Sequence, residues 1–170
     1  MFFFFLVIIG FINIIMAFLG NIIWLVTSFF VPLGYLLGGI IFFPLLPFLW
    51  PVIKYSFLPF GREIVSTEYL KSFKETDSDE SNFEKASPTV KMLGNILWVL
   101  TFGWLLALMH ILAGLLNVLF FWTIIAIPNI IAHFRMVPVA FTPFGRKIIS
   151  KELAKKLRNK KADDEFDKLK

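Results

Sequence analysis

MFFFFLVIIGFINIIMAFLGNIIWLVTSFFVPLGYLLGGIIFFPLLPFLWPVI, residues 1–53, contains no Asp, Glu, Lys or Arg. A second uncharged run covers residues 92–134, where His110 and His133 are the ionisable side chains. All formal charges lie between Lys54 and Lys91 or between Arg135 and Lys170, in a chain of 170 residues that is 58% hydrophobic. A central Lys, Arg or Asp costs about 2.5–3.5 kcal/mol on membrane insertion, so long uncharged runs are what repeated crossing requires. A 53-residue helix would reach roughly 80 Å against a hydrocarbon core of about 30 Å. Each run therefore has length for two crossings. The runs are apolar on every side, which excludes the two-residue alternation of a membrane β-barrel.

The expected fold is an all-α integral membrane protein with about four transmembrane helices in two parallel repeats and short amphipathic cytoplasmic helices. Proline and glycine place the breaks. Helices are expected over 3–31, 34–53, 92–110 and 113–134, the second kinked by Pro44, Pro47 and Pro51, and a turn is expected near His110–Gly114. The start Met1-Phe-Phe-Phe-Phe has no basic region and no small-residue cleavage site follows, which argues against a cleaved signal peptide. The absence of cysteine excludes disulfides and thiolate metal sites.

The repeat is legible in two blocks. Leu19-Gly20-Asn21-Ile22-Ile23-Trp24 returns as Leu93-Gly94-Asn95-Ile96-Leu97-Trp98, and Thr27 as Thr101. Pro59-Phe60-Gly61-Arg62-Glu63-Ile64-Val65-Ser66 returns as Pro143-Phe144-Gly145-Arg146-Lys147-Ile148-Ile149-Ser150. These blocks divide the chain into a first, divergent repeat over 1–73, an acidic linker over 74–90, a second repeat over 91–157 and a charged tail over 158–170. The charged stretch Lys54–Lys91 carries six Lys and Arg and the stretch Arg135–Lys170 eleven, so both charged segments and both termini are expected in the cytoplasm.

The stretch Leu93–Ser150 resembles the YccF inner-membrane domain family. The resemblance rests on Asn95-Ile-Leu-Trp98, Gly103-Trp104-Leu-Leu-Ala-Leu-Met-His110-Ile, Gly114, Ile127-Pro128 and Pro143-Phe-Gly-Arg146. The first half resembles a more divergent copy that lacks the Gly-Trp…Met-His segment. The resemblance implies a bacterial inner-membrane protein with two transmembrane helices per copy, and it brings no catalytic or transport residues with it.

Asn21 and Asn95 each want a hydrogen-bond partner in hydrocarbon. They are candidates for helix contacts or for a pathway lining, together with Thr27, Thr101 and His110; helix contact is the simpler reading, with glycine allowing close approach. His110, in an expected turn, could meet water at the far face or act in gating. His133, beside Arg135, is expected at the interface. In the repeated Pro-Phe-Gly-Arg, proline suits the second position of a type I turn and glycine the fourth. An amphipathic helix is expected to follow, with Arg62, Arg146, Phe60 and Phe144 at the membrane surface. The basic cluster Lys155–Lys161 lies near the last helix, so anionic lipid is the nearer partner and no nucleic acid is expected. The acidic run Glu75–Glu84 reads as a solvated loop, not a metal site.

No nucleophile–base pair and no cofactor motif is visible, so no enzyme activity, cofactor or metal is expected. A chain this small, with proline-broken membrane segments, is expected to form a homo-oligomer among membrane lipids. The functional expectation is an oligomeric ion channel or small-solute pore. The competing expectation is a non-transporting membrane scaffold that recruits a partner through its cytoplasmic segments.

Overall fold

A computed structural model describes residues 2–73, 88–122 and 126–169. Most of the acidic linker expected over 74–90 lies outside these residues. The chain begins with helix α1 (Phe2–Ser28), followed by α2 (Phe30–Ile41), a 3-10 turn (Phe43–Leu45) and α3 (Leu46–Phe57). Strand β1 (Arg62–Ser66) and the short α4 (Thr67–Lys71) close the first half. Helix α5 (Pro88–Trp98) passes through a π-helical turn (Val99–Gly103) into α6 (Trp104–Val118). Then come α7 (Ala126–Phe141), β2 (Arg146–Ser150) and α8 (Lys151–Asp167).

Among the described residues, two helical stretches are long and apolar enough to cross a membrane, Val7–Ser28 and Pro88–Val118. A third exists if α2 and α3 form one broken span, since they are bent by 110° at their junction. The prolines explain the bend. Pro44 opens the 3-10 turn, Pro47 lies in the first turn of α3 and Pro51 inside it, so three backbone N–H donors are missing over eight residues. Gly39 lets the two arms close: a Cβ there would come within 2.7 Å of Leu46 and 3.2 Å of Ile53. Helix α7, at 16 residues, reaches about 24 Å, less than a hydrocarbon core. The expected crossing over 34–53 thus falls on a bent pair broken at its prolines, and the one over 113–134 is divided between the end of α6 and α7.

The turn expected at His110–Gly114 is not there. Helix α6 runs through it to Val118, and His110 and Gly114 are buried on its inner face. The uncharged run alone could not show this, because an apolar helix has no polar face to mark its end.

The Pro-Phe-Gly-Arg segments bring a second correction. Residues 62–66 and 146–150 form strands, not the start of amphipathic helices. They pair antiparallel with Arg62 opposite Ser150, Ile64 opposite Ile148 and Ser66 opposite Arg146. The pair is extended by Thr67 N–H donating to the Gly145 carbonyl at 2.8 Å and Lys151 N–H to the Gly61 carbonyl at 3.4 Å. β-Branched Ile64-Val65 and Ile148-Ile149 suit a pleated ribbon, but the partner strand is far away in the chain, so a local pattern does not reveal it. Helices begin only after the strands. The Ser66 and Ser150 side chains accept from Tyr69 N–H and Leu153 N–H at their starts. Helix α8 is solvated, Ala154 being its buried residue, and an Arg158–Glu63 ion pair ties it to β1.

The core packs Tyr35, Leu49, Val52, Ile53, Trp98, Leu106, Met136 and Val139 between α2, α3, α5, α6 and α7. Helix α1 meets this body through its C-terminal half: Gly61 lies against Ala17, Asn21 bonds to Phe60 and Trp24 to Ser56. Phe4, Phe11 and Ile14 on its N-terminal half are 60–70% exposed, which requires an apolar surrounding.

Candidate functional site

Where α1 ends, it meets α6 and α7 across a chain of buried polar side chains. Ser28, His110 and His133 are fully buried, as is Tyr35, and Asn129 is 2% exposed. Ser28 Oγ lies 2.9 Å from His133 Nε2, and His133 Nδ1 lies 3.1 Å from His110 Nδ1. His110 Nε2 lies 3.3 Å from the Tyr35 hydroxyl. At the other end Ser28 Oγ lies 3.3 Å from Thr27 Oγ1, which also accepts from Asn129 Nδ2 at 3.3 Å. Thr27 is exposed, so the chain runs from the surface inward to Tyr35.

Hydrogen-bond accounting assigns the protons. Among the described residues the Tyr35 hydroxyl meets one partner, so its O–H donates to His110 Nε2. His110 must then carry its proton on Nδ1 and donate to His133 Nδ1. His133 in turn donates from Nε2 to Ser28, and Ser28 to Thr27. Thr27 donates to the Ile23 carbonyl at 2.8 Å. Every link is made with both imidazoles neutral. The opposite direction would strand the Tyr35 O–H in the core, which costs about 1–3 kcal/mol. Trp24 covers the pair, its ring centroid 4.4 Å from that of His133, and its Nε1–H donates to the Ser56 carbonyl at 2.7 Å.

Asn21 and Asn95 do not touch each other. Each clamps the backbone of the phenylalanine in its own Pro-Phe-Gly turn. Phe60 N–H donates to Asn21 Oδ1 at 3.0 Å, and Asn21 Nδ2 to the Phe60 carbonyl at 3.2 Å. Phe144 and Asn95 repeat this at 3.0 and 3.3 Å. Trp98 Nε1–H donates to the Ala140 carbonyl at 2.9 Å, as Trp24 does to Ser56. Thr101 bonds back to the Leu97 and Trp98 carbonyls of its own helix.

Phe144 is buried against Trp98 and Phe48, so it serves the core and not the surface where it was expected. Phe60 stands edge-on to Trp24. Arg62 is exposed. Arg146 donates to the Thr142 carbonyl and hydroxyl at 3.0 and 2.7 Å; burial lowers its pKa from the ordinary value, and Glu68 opposes that shift. His133, expected at the interface, is instead at the centre of the site. Ser28, Tyr35, Asn129 and His133 were not foreseen as a group. Their one sequence signal is Asn129, His133 and Met136, spaced to share a face of α7.

A cavity of about 520 Å³ opens beside the second clamp, lined by Lys91, Met92, Asn95, Val99, Leu100 and Phe144, among others. Among the described residues, no group of three or more His, Asp or Glu side chains converges as metal ligands would.

Apolar helices with a buried polar chain, carrying a charged two-stranded ribbon, define a helical integral membrane protein. Residues 93–146 match the family model described as YccF, inner membrane component domain. Inner membrane protein YccF of Escherichia coli (strain K12) is 32% identical over 124 residues, covering 73% of this chain and 76% of that protein, and its counterpart in Shigella flexneri matches equally. The chain belongs to the YccF inner-membrane family. No solved structure matches it.

Proposed function

We propose that this inner-membrane protein works as a homo-oligomer that passes ions or small solutes, along a path between subunits that meets the polar chain at Thr27. The observation that carries the reading is the emergence of that chain at an exposed threonine, among exposed apolar side chains such as Val26, Phe29 and Phe30. A polar group facing lipid gains from a neighbouring subunit or from water. The proline-broken arms α2 and α3 give a second reason for association, because Ile40, Ile41 and Phe43 at their bend are more than half exposed.

In this reading the chain consists of two copies of one unit, over 1–73 and 91–157. The equal clamps at Asn21 and Asn95, the equal Trp24 and Trp98 bonds and the equal serine caps support it. Ile64 lies opposite its repeat partner Ile148, as a two-fold axis between the copies requires. Both charged segments and both termini face the cytoplasm, and anionic lipid lies against α8.

The test is solute flux from purified protein in liposomes, with its mass measured in nanodiscs. Flux, a mass above the 19.6 kDa monomer and reduced flux in Thr27→Val support the proposal. A monomer without flux overturns it. A second reading, a membrane scaffold that recruits a partner, is favoured by the exposed charges of α8 held to the ribbon through Arg158 and Glu63. Absence of flux with a partner retained by wild type and lost on deleting 158–170 would support that reading.

A further inference from the structure

We propose that the His110–His133 pair is a proton-binding site that locks α2 to α1, α6 and α7 when neutral and releases α2 when it takes up a proton. The lock consists of three contacts. Ser28 on α1 meets His133 on α7, His133 meets His110 on α6, and His110 meets Tyr35 on α2. Two proton placements make all three with both rings neutral, and only the one in which Tyr35 donates also gives the Tyr35 O–H an acceptor.

Adding one proton changes the pattern in a defined way. Both Nε2 atoms then carry hydrogen, and the Nδ1 atoms share the remaining proton across 3.1 Å. His110 Nε2–H must now donate to the Tyr35 oxygen, and the Tyr35 O–H loses its acceptor. Adding a second proton sets N–H against N–H between the rings. The first step leaves the Tyr35 O–H without an acceptor in the core and the second sets the two rings against each other, so the seam that holds α2 through Tyr35 is the one that loosens.

The surroundings offer the added charge no counter-ion. Facing the pair, α1 presents Trp24 and Ser28, and α2 presents Tyr35. Arg135 on α7 is exposed; on α3, Tyr55 is buried and Lys54 lies over Trp50. None of α1, α2, α3, α6 and α7 contains an Asp or Glu. Protons reach the pair from Thr27, the exposed end of the chain, and the path ends at Tyr35. A one-ended path binds and returns a proton, which suits a switch.

The released element is the first arm of the bent α2–α3 hairpin. Its effect on a solute path rests on the proposed pore, whereas the proton chemistry does not. The chain has two histidines, so histidine-labelled protein reports on this pair alone. The experiment is nitrogen NMR of the full chain in lipid vesicles from about pH 8 to about pH 3, with amide exchange of residues 30–41 corrected for its intrinsic pH dependence. At the upper pH one ring should carry its proton on Nδ1 and the other on Nε2. On acidification the rings should titrate as a coupled pair, while exchange of 30–41 rises about tenfold. Tyr35→Phe, which keeps the ring and removes the donor, should abolish most of that rise. Two Nε2–H rings titrating independently, or a Tyr35→Phe protein with the full exchange response, would overturn the proposal. Vesicles that pass no solute at any pH count against the pore and leave the switch standing. Solute flux beside histidines that do not couple does the reverse.

Discussion

Asn95 and Phe144, 49 residues apart, are joined by two hydrogen bonds: Phe144 N–H donates to Asn95 Oδ1 at 3.0 Å, and Asn95 Nδ2 donates to the Phe144 carbonyl at 3.3 Å. The asparagine acts as a backbone partner for a turn that would otherwise leave one donor and one acceptor unpaired near the core. Asn95→Leu should therefore destabilise the protein by about 1–3 kcal/mol, the cost of leaving such groups unsatisfied. Asn21→Leu should cost a similar amount, since its two bonds to Phe60 have the same geometry. Thermal unfolding in mild detergent measures both. Loss of oligomer with unchanged monomer stability in Asn95→Leu would assign the residue to contacts between subunits instead.

Gly61 and Gly145 follow the clamped phenylalanines with φ of 77° and 82°, in the left-handed region. An L-residue there costs about 1–2 kcal/mol, so Gly145→Ala and Gly61→Ala should each lower stability by about that amount. Gly10→Ala is the control. It lies in α1 with open space at its Cβ position and should be neutral or gain up to about 1 kcal/mol. Equal melting temperatures for Gly145→Ala and Gly10→Ala would refute the role of the turn.

Trp98 and Trp24 each satisfy a buried carbonyl on the returning helix of their own half. Trp98→Phe keeps most of the ring and strands the Ala140 oxygen, which should cost about 1–3 kcal/mol. Trp104 is 52% exposed, and Trp104→Phe should fall within about 0.5 kcal/mol of wild type. Denaturation of the two variants side by side gives the comparison.

Cysteines introduced at Ser78 and Ala162 should resist an impermeant thiol reagent in intact cells and react after lysis. The basis is the six and eleven Lys and Arg of the two charged segments. Ala162 is exposed on α8, so protection there reports on sidedness and not on burial. Labelling of either position in intact cells would reverse the proposed orientation.

The residues of the site were legible one at a time and not as a group. Asn21, Asn95, Thr27 and His110 stand out because a polar side chain in an uncharged apolar run needs a partner. The identity of those partners did not follow, since Asn95 reaches Phe144 and Ser28 reaches His133 across 105 residues. His110 falls in an expected turn because Gly114 reads as a break, and nothing in an all-apolar helix marks that it continues.

By itself the sequence determined what depends on composition and short spacing. Two uncharged runs require a helical membrane protein, Pro44, Pro47 and Pro51 require a break, and the recurring Gly-Asn and Pro-Phe-Gly-Arg blocks predict equal local geometry in the two halves. The tertiary structure alone decided what depends on long-range pairing. Residues 62–66 and 146–150 are strands because each supplies the other's backbone hydrogen bonds. His110 and His133 form one site because Ser28 and Tyr35 complete their hydrogen bonds from α1 and α2. Local sequence carries the propensity and the unmet need of a polar group, whereas the partner that meets the need is set by how the helices pack.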